Sequence, residues 1–300
     1  MRFVPFIYHL CEGLVLCNSM NGKICLVTGA THGIGLATAR ALAASGATVL
    51  VHGRDLGRAR AVAGDISRDT GNPGVRFVQA DFAQLAQVRR LAHELQSQLP
   101  RLDVLINNAG VMAAAHARSA EGYDLTFAVN HLAPFLLTGL LLDKLKESAP
   151  SRVIVVASNA HRRATLDFSD LMNARVSGFM AAYERSKLAN VLFARALARR
   201  LAGTGVTVNT LHPGLVNSHL FHNSPALLRV LLSSVGRLFM LSPQQGARDS
   251  VYLAAAPELG GHSGGYYHGC RPVAPSAAAQ SDACAERLWQ ESARLTGLAA

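Results

Sequence analysis

Charged residues are scarce in this chain of 300 residues, and acidic residues are scarcer than basic ones. Only 16% of the residues are charged, half are hydrophobic, and the formal net charge is +10. This composition excludes a disordered chain and leaves enough apolar surface for a large buried core. No run of five or more basic residues occurs. The positive charge therefore favours anionic cofactors or membrane surfaces, and it is weak support for nucleic-acid binding.

The cysteine patterns of metal sites and disulfide frameworks are also missing. Five cysteines are present, an odd number, and none of them forms a CxxC pair: Cys11, Cys17, Cys25, Cys270 and Cys284. We expect reduced thiols, no metal site and an intracellular protein, either cytoplasmic or peripherally attached to a membrane.

No N-terminal hydrophobic run is long enough to span a bilayer. Residues 4–17 are mostly apolar, but they include His9 and Glu12 and fall short of the about 20 apolar residues that a spanning helix needs. They also lack the small-residue cleavage pattern of a signal peptide. We expect residues 1–22 to form an apolar extension, packed or lying on a surface. No internal repeat or linker divides residues 23–300, which predicts a single domain.

The sequence alternates short apolar runs with helical patterns. Apolar runs occupy residues 23–27, 48–52, 75–79, 104–106, 153–156 and 206–211, and helical patterns lie between them, including a long one over 123–145. This alternation predicts an α/β fold, a Rossmann-type doubly wound parallel sheet. Ligands of such sheets bind outside the carboxyl ends of the strands. The candidate catalytic and binding residues of this sequence cluster at the same ends.

A glycine-rich turn at residues 28–35, TGATHGIG, connects the first predicted strand to a helix. Gly29 would allow the tight turn, and Gly33 and Gly35 would permit close approach of backbone to phosphate and of helix to sheet. The N-terminus of the helix offers free N–H groups and a partial positive charge to a pyrophosphate. An ordinary strand-to-helix bend is the alternative, but the position between a buried strand and a helix favours dinucleotide binding.

The end of the second predicted strand indicates which nicotinamide cofactor is used. An acidic residue at this place binds the ribose 2′-hydroxyl, whereas a nearby arginine accommodates a 2′-phosphate. Here His52 and Gly53 end the strand and Arg54 follows, which predicts NADP(H) rather than NAD(H). Asp55 weakens this prediction unless it caps the next helix instead of turning inward.

Tyr183 and Lys187 form the most distinctive pair in the sequence. They are four residues apart on a helical pattern that runs to Arg200, so they share one helix face. An ammonium beside a phenol lowers the tyrosine pKa from about 10, and such a tyrosine can exchange a proton with an alcohol or a carbonyl oxygen. The pair could be accidental, but only four lysines accompany 25 arginines, which favours a specific role for this ammonium.

Four motifs in order resemble the short-chain dehydrogenase/reductase family over about residues 23–267. They are TGxxxGIG at 28–35, NNAG at 107–110, the serine at 158 and YxxSK at 183–187. The segments VNHL at 129–132, SNAH at 158–161, SKLAN at 186–190 and HPG at 212–214 are similar to the retinol-dehydrogenase-like group. Residues 245–259 are similar to the oxidoreductase domain of the WW-domain oxidoreductase, and we expect no WW domain before them.

The resemblance implies a catalytic tetrad of Asn130, Ser158, Tyr183 and Lys187. Tyr183 would be the general acid or base, and Ser158 would hydrogen-bond the substrate oxygen. Lys187 would lower the Tyr183 pKa and bind the nicotinamide ribose, while Asn130 would hold a water linking Lys187 to solvent. The implied cofactor site consists of Gly29, Thr31, His32, Gly33, Ile34, Gly35, Arg54, Asp81, Phe82, Asn108, Ala109, Gly110, Tyr183, Lys187, Pro213 and Gly214.

The segment after Gly214 is expected to select the substrate. Residues 225–241 are rich in leucine, with Arg229 and Arg237 as their only charges. One interpretation is a lid at about residues 215–245 over a lipophilic substrate, in peripheral contact with a membrane. The alternative is a core helix or the interface of a homo-oligomer. Ser218 stands displaced from the family's usual threonine, so its contact with the nicotinamide carboxamide is left open.

Two further alternatives concern the cleft and the activity. His161, Arg162 and Arg163 either border the cleft or, as we favour, form a solvated basic turn. By resemblance, the chain interconverts an alcohol and a carbonyl on a retinoid-like or steroid-like substrate. The alternatives are a broad carbonyl reductase for small ketones and aldehydes, and a cofactor-binding scaffold without turnover.

Overall fold

A single eight-stranded sheet organises the computed structural model, which describes residues 20–172, 178–216 and 240–299. The strand order is β3-β2-β1-β4-β5-β6-β7-β8, and every neighbouring pair is parallel except β7 with β8. The strands are β1 Ile24–Val27, β2 Thr48–Gly53, β3 Val75–Gln79, β4 Val104–Asn107, β5 Ser151–Val156, β6 Val206–Leu211, β7 Tyr266–His268 and β8 Arg271–Pro272. The predicted doubly wound α/β fold and its six strands are confirmed.

Helices cover both faces of this sheet. The described helices are α1 Gly33–Ala44, α2 Leu56–Thr70, α3 Leu85–Gln98, α4 Ala133–Leu140, α5 Leu142–Glu147, α6 Phe179–Arg200, α7 Pro243–Ala255 and α8 Asp282–Thr296. Successive side chains of a strand point to opposite faces, so Leu26 joins the core under α3, α4, α6 and α8, while Val27 joins the core under α1, α2 and α7. Burial on both faces explains why the central strands are continuous apolar runs rather than alternating ones.

The predicted helix over 123–145 is wrong in its continuity. The segment contains a short α-turn, Leu125–Phe127, a π-helix, Ala128–Leu132, and then α4 and α5. The Asp124 side chain caps the first turn by accepting from the Phe127 N–H at 2.8 Å. Pro134 lies in the first turn of α4, directly after the π-helix.

Two predicted segments lie mostly outside the described residues. These are the N-terminal extension at 1–22 and the lid at about 215–245, including Ser218 and most of 225–241. At the edges of the second segment, the Leu241 N–H donates to the Leu215 carbonyl at 2.8 Å, and Val216 forms a parallel bridge with Leu241. Within the ranges that the structure describes, no helix has the length and hydropathy required to cross a bilayer.

The prediction of reduced thiols is wrong for Cys270. This residue is disulfide-bonded, whereas Cys25 and Cys284 are free. Cys270 lies in the partly exposed turn between β7 and β8, where its N–H donates to Asp249 Oδ1 at 2.6 Å. A thiol in such a turn is accessible to a partner, unlike the fully buried Cys25. An odd number of cysteines therefore did not exclude a disulfide here.

Candidate functional site

The predicted site residues lie at one edge of the sheet, where the parallel strands end. The glycine-rich turn follows β1, Arg54 follows β2, Asp81 and Phe82 follow β3, Asn108 to Gly110 follow β4, Ser158 follows β5, and Pro213 and Gly214 follow β6. Tyr183 and Lys187 reach the same edge from α6, as their contacts with the ends of β4 and β5 show. The predicted residues therefore form one site.

The glycine-rich turn needs its glycines because the backbone after β4 passes directly beside it. Gly29 has a left-handed φ of +62°, and a Cβ added there would lie 2.8 Å from Ala109 Cα. A Cβ on Gly35 would lie 2.4 Å from Asn108 Nδ2 and 2.4 Å from the Gly29 carbonyl oxygen. These approaches confirm the close packing predicted for the turn, and they show that its partner is the Asn108-Ala109 segment.

The N-terminus of α1 opens into the site without a side-chain cap. Its N-cap residue is His32, whose imidazole Nδ1 instead lies 2.9 Å from Thr31 Oγ1. The first N–H groups of a helix lack intrahelical acceptors, and here no side chain of the cap residue accepts from them. The turn at Gly33, Ile34 and Gly35 thus presents hydrogen-bond donors and the positive end of the helix dipole to an anion.

Thr28 and Asn108 join the glycine-rich turn to β4 through side-chain hydrogen bonds. Thr28 Oγ1 accepts from the N–H groups of Asn108 at 2.9 Å and Ala109 at 3.0 Å. In return, Asn108 Nδ2 donates to the Thr28 carbonyl at 2.7 Å and the Gly29 carbonyl at 3.2 Å. The Asn108 amide therefore holds the turn in place. Thr28 was part of the quoted motif, but its role was not predicted.

At the end of β2, the structure resolves the ambiguity over Asp55. Its carboxylate accepts from the Arg58 N–H at 2.7 Å and caps α2, so it does not turn inward. Arg54 is exposed, and within the described part of the chain it forms no ion pair. Gly53 was not predicted to matter, yet a Cβ there would lie 2.5 Å from Thr31 Cγ2. The glycine lets the phosphate-side turn approach the strand end that carries Arg54.

His52 is a site residue whose role the sequence did not reveal. It is 3% exposed, its Nδ1 accepts from the Gly29 N–H at 3.1 Å, and its Nε2 lies 3.1 Å from the Ala80 carbonyl oxygen. The ring stacks on Phe82 with 4.4 Å between centroids and 30° between planes. After the neighbouring strand β3, the Asp81 carboxylate accepts from the Ala83 N–H at 3.0 Å. Burial lowers the His52 pKa to about 4.

Tyr183 and Lys187 share one face of α6, as predicted, and both are buried. Lys187 Nζ lies 5.6 Å from the centroid of the Tyr183 ring and donates to the Val156 carbonyl at 3.0 Å. A Cβ on Gly110 would lie 3.5 Å from Lys187 Nζ, which places the ammonium beside the NNAG segment. Burial lowers the Lys187 pKa to about 8, because desolvation disfavours the charged amine.

The predicted lowering of the Tyr183 pKa is wrong for the structure as it stands. Burial raises the pKa of the phenol to about 12, because the phenolate would lose its hydration. A hydrogen bond with the Ser158 side chain acts in the opposite direction and only partly offsets burial. The same hydrogen bond confirms that the serine ending β5 faces the tyrosine.

Ser158 also has a structural role. Its hydroxyl accepts from the Ala160 N–H at 3.2 Å and caps a 3-10 turn, Asn159–Arg163. In that turn His161 is fully buried, with Nδ1 2.8 Å from the Ser158 carbonyl oxygen and Nε2 accepting from the Ser276 N–H at 3.0 Å. A solvated basic turn therefore describes Arg162 and Arg163, which are exposed, but is wrong for His161.

Asn130 lies in the π-helix and is completely buried. Its Oδ1 accepts from the Val111 N–H at 2.7 Å, and its Nδ2 donates to the Val111 carbonyl at 3.0 Å and to Ser186 Oγ at 2.9 Å. Asn130 thus ties the segment after β4 to α6 between Tyr183 and Lys187. π-Helical turns concentrate at functional sites because they insert one residue and redirect a side chain. The apolar periodicity of the sequence gives no sign of that insertion.

Pro213 and Gly214 follow β6, and Gly214 lies beside Leu241. Gly214 has a left-handed φ of +80°, and a Cβ there would lie 2.8 Å from Leu241 Cδ1.

Among the residues in ranges 20–172, 178–216 and 240–299, no cluster of three or more His, Cys, Asp or Glu side chains is suited to a metal ion.

Comparisons with known proteins agree with this geometry. Residues 23–227 match the family model of the short chain dehydrogenases. The chain is 46% identical to retinol dehydrogenase 13 of Mus musculus, with 93% of this chain and 85% of that protein covered. It is 42% identical to retinol dehydrogenase 14 of Homo sapiens, with 93% and 88% covered. A Pseudomonas aeruginosa RhlG/NADP active-site complex has a similar structure, with a TM-score of 0.66, 28% identity and coverage of 87% and 98%.

The family match covers more than half of the chain, and the relatives are similar along most of their own length. Together with the sheet order and the assembled residues at its carboxyl edge, these similarities establish that the chain belongs to the short chain dehydrogenase family of oxidoreductases, in its retinol-dehydrogenase-like group.

Proposed function

We propose that this protein is an NADP(H)-dependent oxidoreductase that interconverts an alcohol and a carbonyl on a lipophilic, retinoid-like or steroid-like substrate. The observation that carries the proposal is the assembly of the Tyr183 phenol, the Ser158 hydroxyl and the Lys187 ammonium at the edge where the glycine-rich turn lies. An acid/base phenol, a hydroxyl donor and a buried cation in contact are the groups that carbonyl–alcohol interconversion requires.

In this proposal Tyr183 transfers the proton. During carbonyl reduction its O–H donates a proton to the substrate oxygen, and during alcohol oxidation it accepts one. Ser158 donates a hydrogen bond to the same oxygen and stabilises the negative charge that develops there. The Lys187 ammonium, 5.6 Å from the ring centroid, offsets part of the cost of forming a buried phenolate.

Asn130 and Lys187 connect the phenol to the rest of the site. The Asn130 amide bonds Val111 and Ser186 and so positions α6, and the second lone pair of its Oδ1 can hold the water that would link Lys187 to solvent. We retain the role of proton resupply for the Asn130 and Lys187 side chains. Both lie beside Gly110, since a Cβ added there would be 3.5 Å from Asn130 Oδ1 and 3.5 Å from Lys187 Nζ. Lys187 also carries free N–H donors for the hydroxyls of a ribose.

The residues at the carboxyl edge fit a dinucleotide. The N-cap residue of α1 makes no side-chain hydrogen bond to the start of the helix, which leaves backbone N–H donors for a pyrophosphate. Asp81, Phe82, Asn108, Ala109, Gly110, Pro213 and Gly214 border the remaining length. When bound there, a reduced nicotinamide supplies the hydride that the protein's own side chains cannot.

Arg54 supports NADP(H) over NAD(H). No acidic residue follows β2 in position to bind a ribose 2′-hydroxyl, because Asp55 is occupied as the cap of α2. The exposed Arg54 guanidinium is available to a 2′-phosphate. An NADP-bound structural neighbour at 28% identity agrees with this choice.

A substrate panel tests the proposal. The purified protein would be assayed with NADPH and with NADH against a retinoid aldehyde, a steroid ketone and small ketones and aldehydes. We expect NADPH-dependent reduction with the highest kcat/KM for the lipophilic substrates. Preference for the small ketones would indicate the broad carbonyl reductase instead. Cofactor binding without turnover on any member would contradict the enzyme and favour a scaffold.

A further inference from the structure

His52 is hydrogen-bonded at both ring nitrogens and through its backbone. Its Nδ1 accepts from the Gly29 N–H, and its Nε2 faces the Ala80 carbonyl, both at 3.1 Å. Its own carbonyl accepts from the Ala30 N–H at 2.8 Å. One residue of β2 therefore holds two consecutive residues of the glycine-rich turn and the last residue before Asp81.

These partners fix the tautomer of the imidazole. Nδ1 faces an N–H and must be unprotonated, while Nε2 faces a carbonyl and must carry the proton. Protonation of Nδ1 would set two N–H groups against each other at the Gly29 turn. The lowering of the His52 pKa by burial agrees with a ring that stays neutral.

The contacts of His52 distinguish it from an ordinary core histidine. The two segments it joins are the glycine-rich turn at Gly29 and the strand end that precedes Asp81 and Phe82, and both belong to the proposed dinucleotide site. The ring also stacks on Phe82 at 4.4 Å, which fixes that phenyl group. A structural histidine would not need to contact both of these segments.

We propose that His52 is a positioning residue for the dinucleotide, which holds the glycine-rich turn and the Asp81-Phe82 segment in the binding geometry before the cofactor arrives. The inference rests on the proposed function, since it concerns the same cofactor site. His52 touches no reacting atom, so its removal is expected to weaken cofactor binding rather than the chemical step.

Three substitutions separate the two hydrogen bonds. His52→Ala removes both, His52→Asn keeps an acceptor near the place of Nδ1, and His52→Gln keeps a donor near the place of Nε2. Val49→Ala is the matched control, because Val49 is fully buried in the same strand and pairs with Cys25 and Val75, which are not proposed cofactor residues. It lowers stability by loss of packing without changing the Gly29 turn.

The measurements are the Kd for NADPH by fluorescence titration, the melting temperature, and kcat at saturating NADPH. We expect His52→Ala to raise Kd by about tenfold or more, with kcat within about threefold of wild type, as loss of preorganising hydrogen bonds predicts. His52→Asn should recover part of the affinity. Val49→Ala should lower the melting temperature and leave Kd unchanged.

Several results would overturn the inference. One is a His52→Ala Kd equal to that of Val49→Ala, and another is a His52→Asn affinity no better than that of His52→Ala. If His52→Ala does not fold, the Asn and Gln variants still decide. Nitrogen-15 NMR of the wild-type imidazole should show the Nε2–H tautomer, and the Nδ1–H tautomer would also contradict the inference. Failure of the wild type to bind either nicotinamide cofactor would instead contradict the proposed function.

Discussion

Lys187 Nζ lies 5.6 Å from the centroid of the Tyr183 ring, and both side chains are buried on one face of α6. Burial acts on the two groups in opposite senses, raising the Tyr183 pKa to about 12 and lowering the Lys187 pKa to about 8. Both shifts favour the neutral form of the side chain. Because desolvation disfavours the ammonium, Lys187 gives up its proton at a lower pH than an exposed lysine does. The state of the lysine should therefore limit the reaction at alkaline pH.

The first prediction concerns this pH dependence. Lys187 is charged below about pH 8 and loses its proton above it. We expect kcat/KM for carbonyl reduction to fall by about tenfold per pH unit above about pH 8, because the cation that stabilises the phenolate is lost. A pH–rate profile from 6.5 to 10 at saturating NADPH measures this. In Lys187→Arg the guanidinium stays charged, so its slower rate should lack the alkaline decline. A flat wild-type profile would contradict the role of Lys187.

Arg54→Asp tests the choice of cofactor. Loss of the guanidinium removes charge-assisted hydrogen bonds to a 2′-phosphate, worth about 1.5–3 kcal/mol, and the new carboxylate repels it. We expect the ratio of kcat/KM for NADPH to that for NADH to fall by about 10- to 100-fold or more. The control is Arg68→Asp, which changes the same charge at the far end of α2. An unchanged ratio in Arg54→Asp would refute the preference for NADP(H).

Gly35→Ala tests the close packing of the glycine-rich turn. The added Cβ would lie 2.4 Å from both Asn108 Nδ2 and the Gly29 carbonyl oxygen, so the turn must move. We expect loss of NADPH binding by at least about tenfold and a lower melting temperature. Gly64→Ala in α2 is the control, since no atom lies within 4 Å of its added Cβ. That variant should gain about 0.5–1 kcal/mol of stability and bind NADPH normally. Equal binding by both variants would contradict the packing argument.

Buried histidines should make the protein sensitive to acid. Burial lowers the pKa of His52 to about 4 and that of His131 to about 3, from 6.5. Because the unfolded state takes up these protons first, their contribution is complete above about pH 6.5 and is lost as the pH falls through the folded pKa values. We expect the free energy of unfolding to drop by several kcal/mol between about pH 6.5 and pH 4. Each buried histidine contributes about 1.4 kcal/mol of this drop per pH unit.

Urea unfolding at a series of pH values measures this drop. His131→Asn should show a smaller loss of stability in acid than the wild type, because one of the buried histidines with a lowered pKa is gone. His93→Asn, which changes an exposed histidine, is the control. A wild-type free energy of unfolding that is constant between pH 6.5 and pH 4 would show that these rings are not neutral and buried.

The sequence predicted most of the sheet because strands that are buried on both faces appear as continuous apolar runs. The six apolar runs became β1 to β6, and the polar residues that follow them meet at one edge because parallel strands end together. β7 and β8 are three and two residues long, too short to show any periodicity. The π-helix at Ala128–Leu132 keeps an apolar pattern, so the extra residue that it inserts cannot be read from spacing.

Contacts between distant segments explain what the sequence could not reveal in the site. The sequence predicted His52 only as a residue at the end of a strand. In the folded chain its ring lies between Gly29 and Ala80. The Tyr183–Lys187 pair was identified from its spacing, but the direction of the Tyr183 pKa depends on burial, which the helix pattern does not specify. The cap that Asp55 forms is local, and the sequence analysis gave it as an alternative.

The most direct test of the catalytic account is the kinetics of Tyr183→Phe, measured with NADPH and the best carbonyl substrate. The change removes the proton-donating O–H and keeps the ring, so NADPH affinity should stay within about threefold while kcat falls by about 10²- to 10⁴-fold. Tyr123→Phe is the control, because that hydroxyl bonds the Leu295 carbonyl at 2.9 Å away from the site. Loss of turnover in Tyr183→Phe alone is the result we expect. Activity of Tyr183→Phe equal to that of the control would contradict the account.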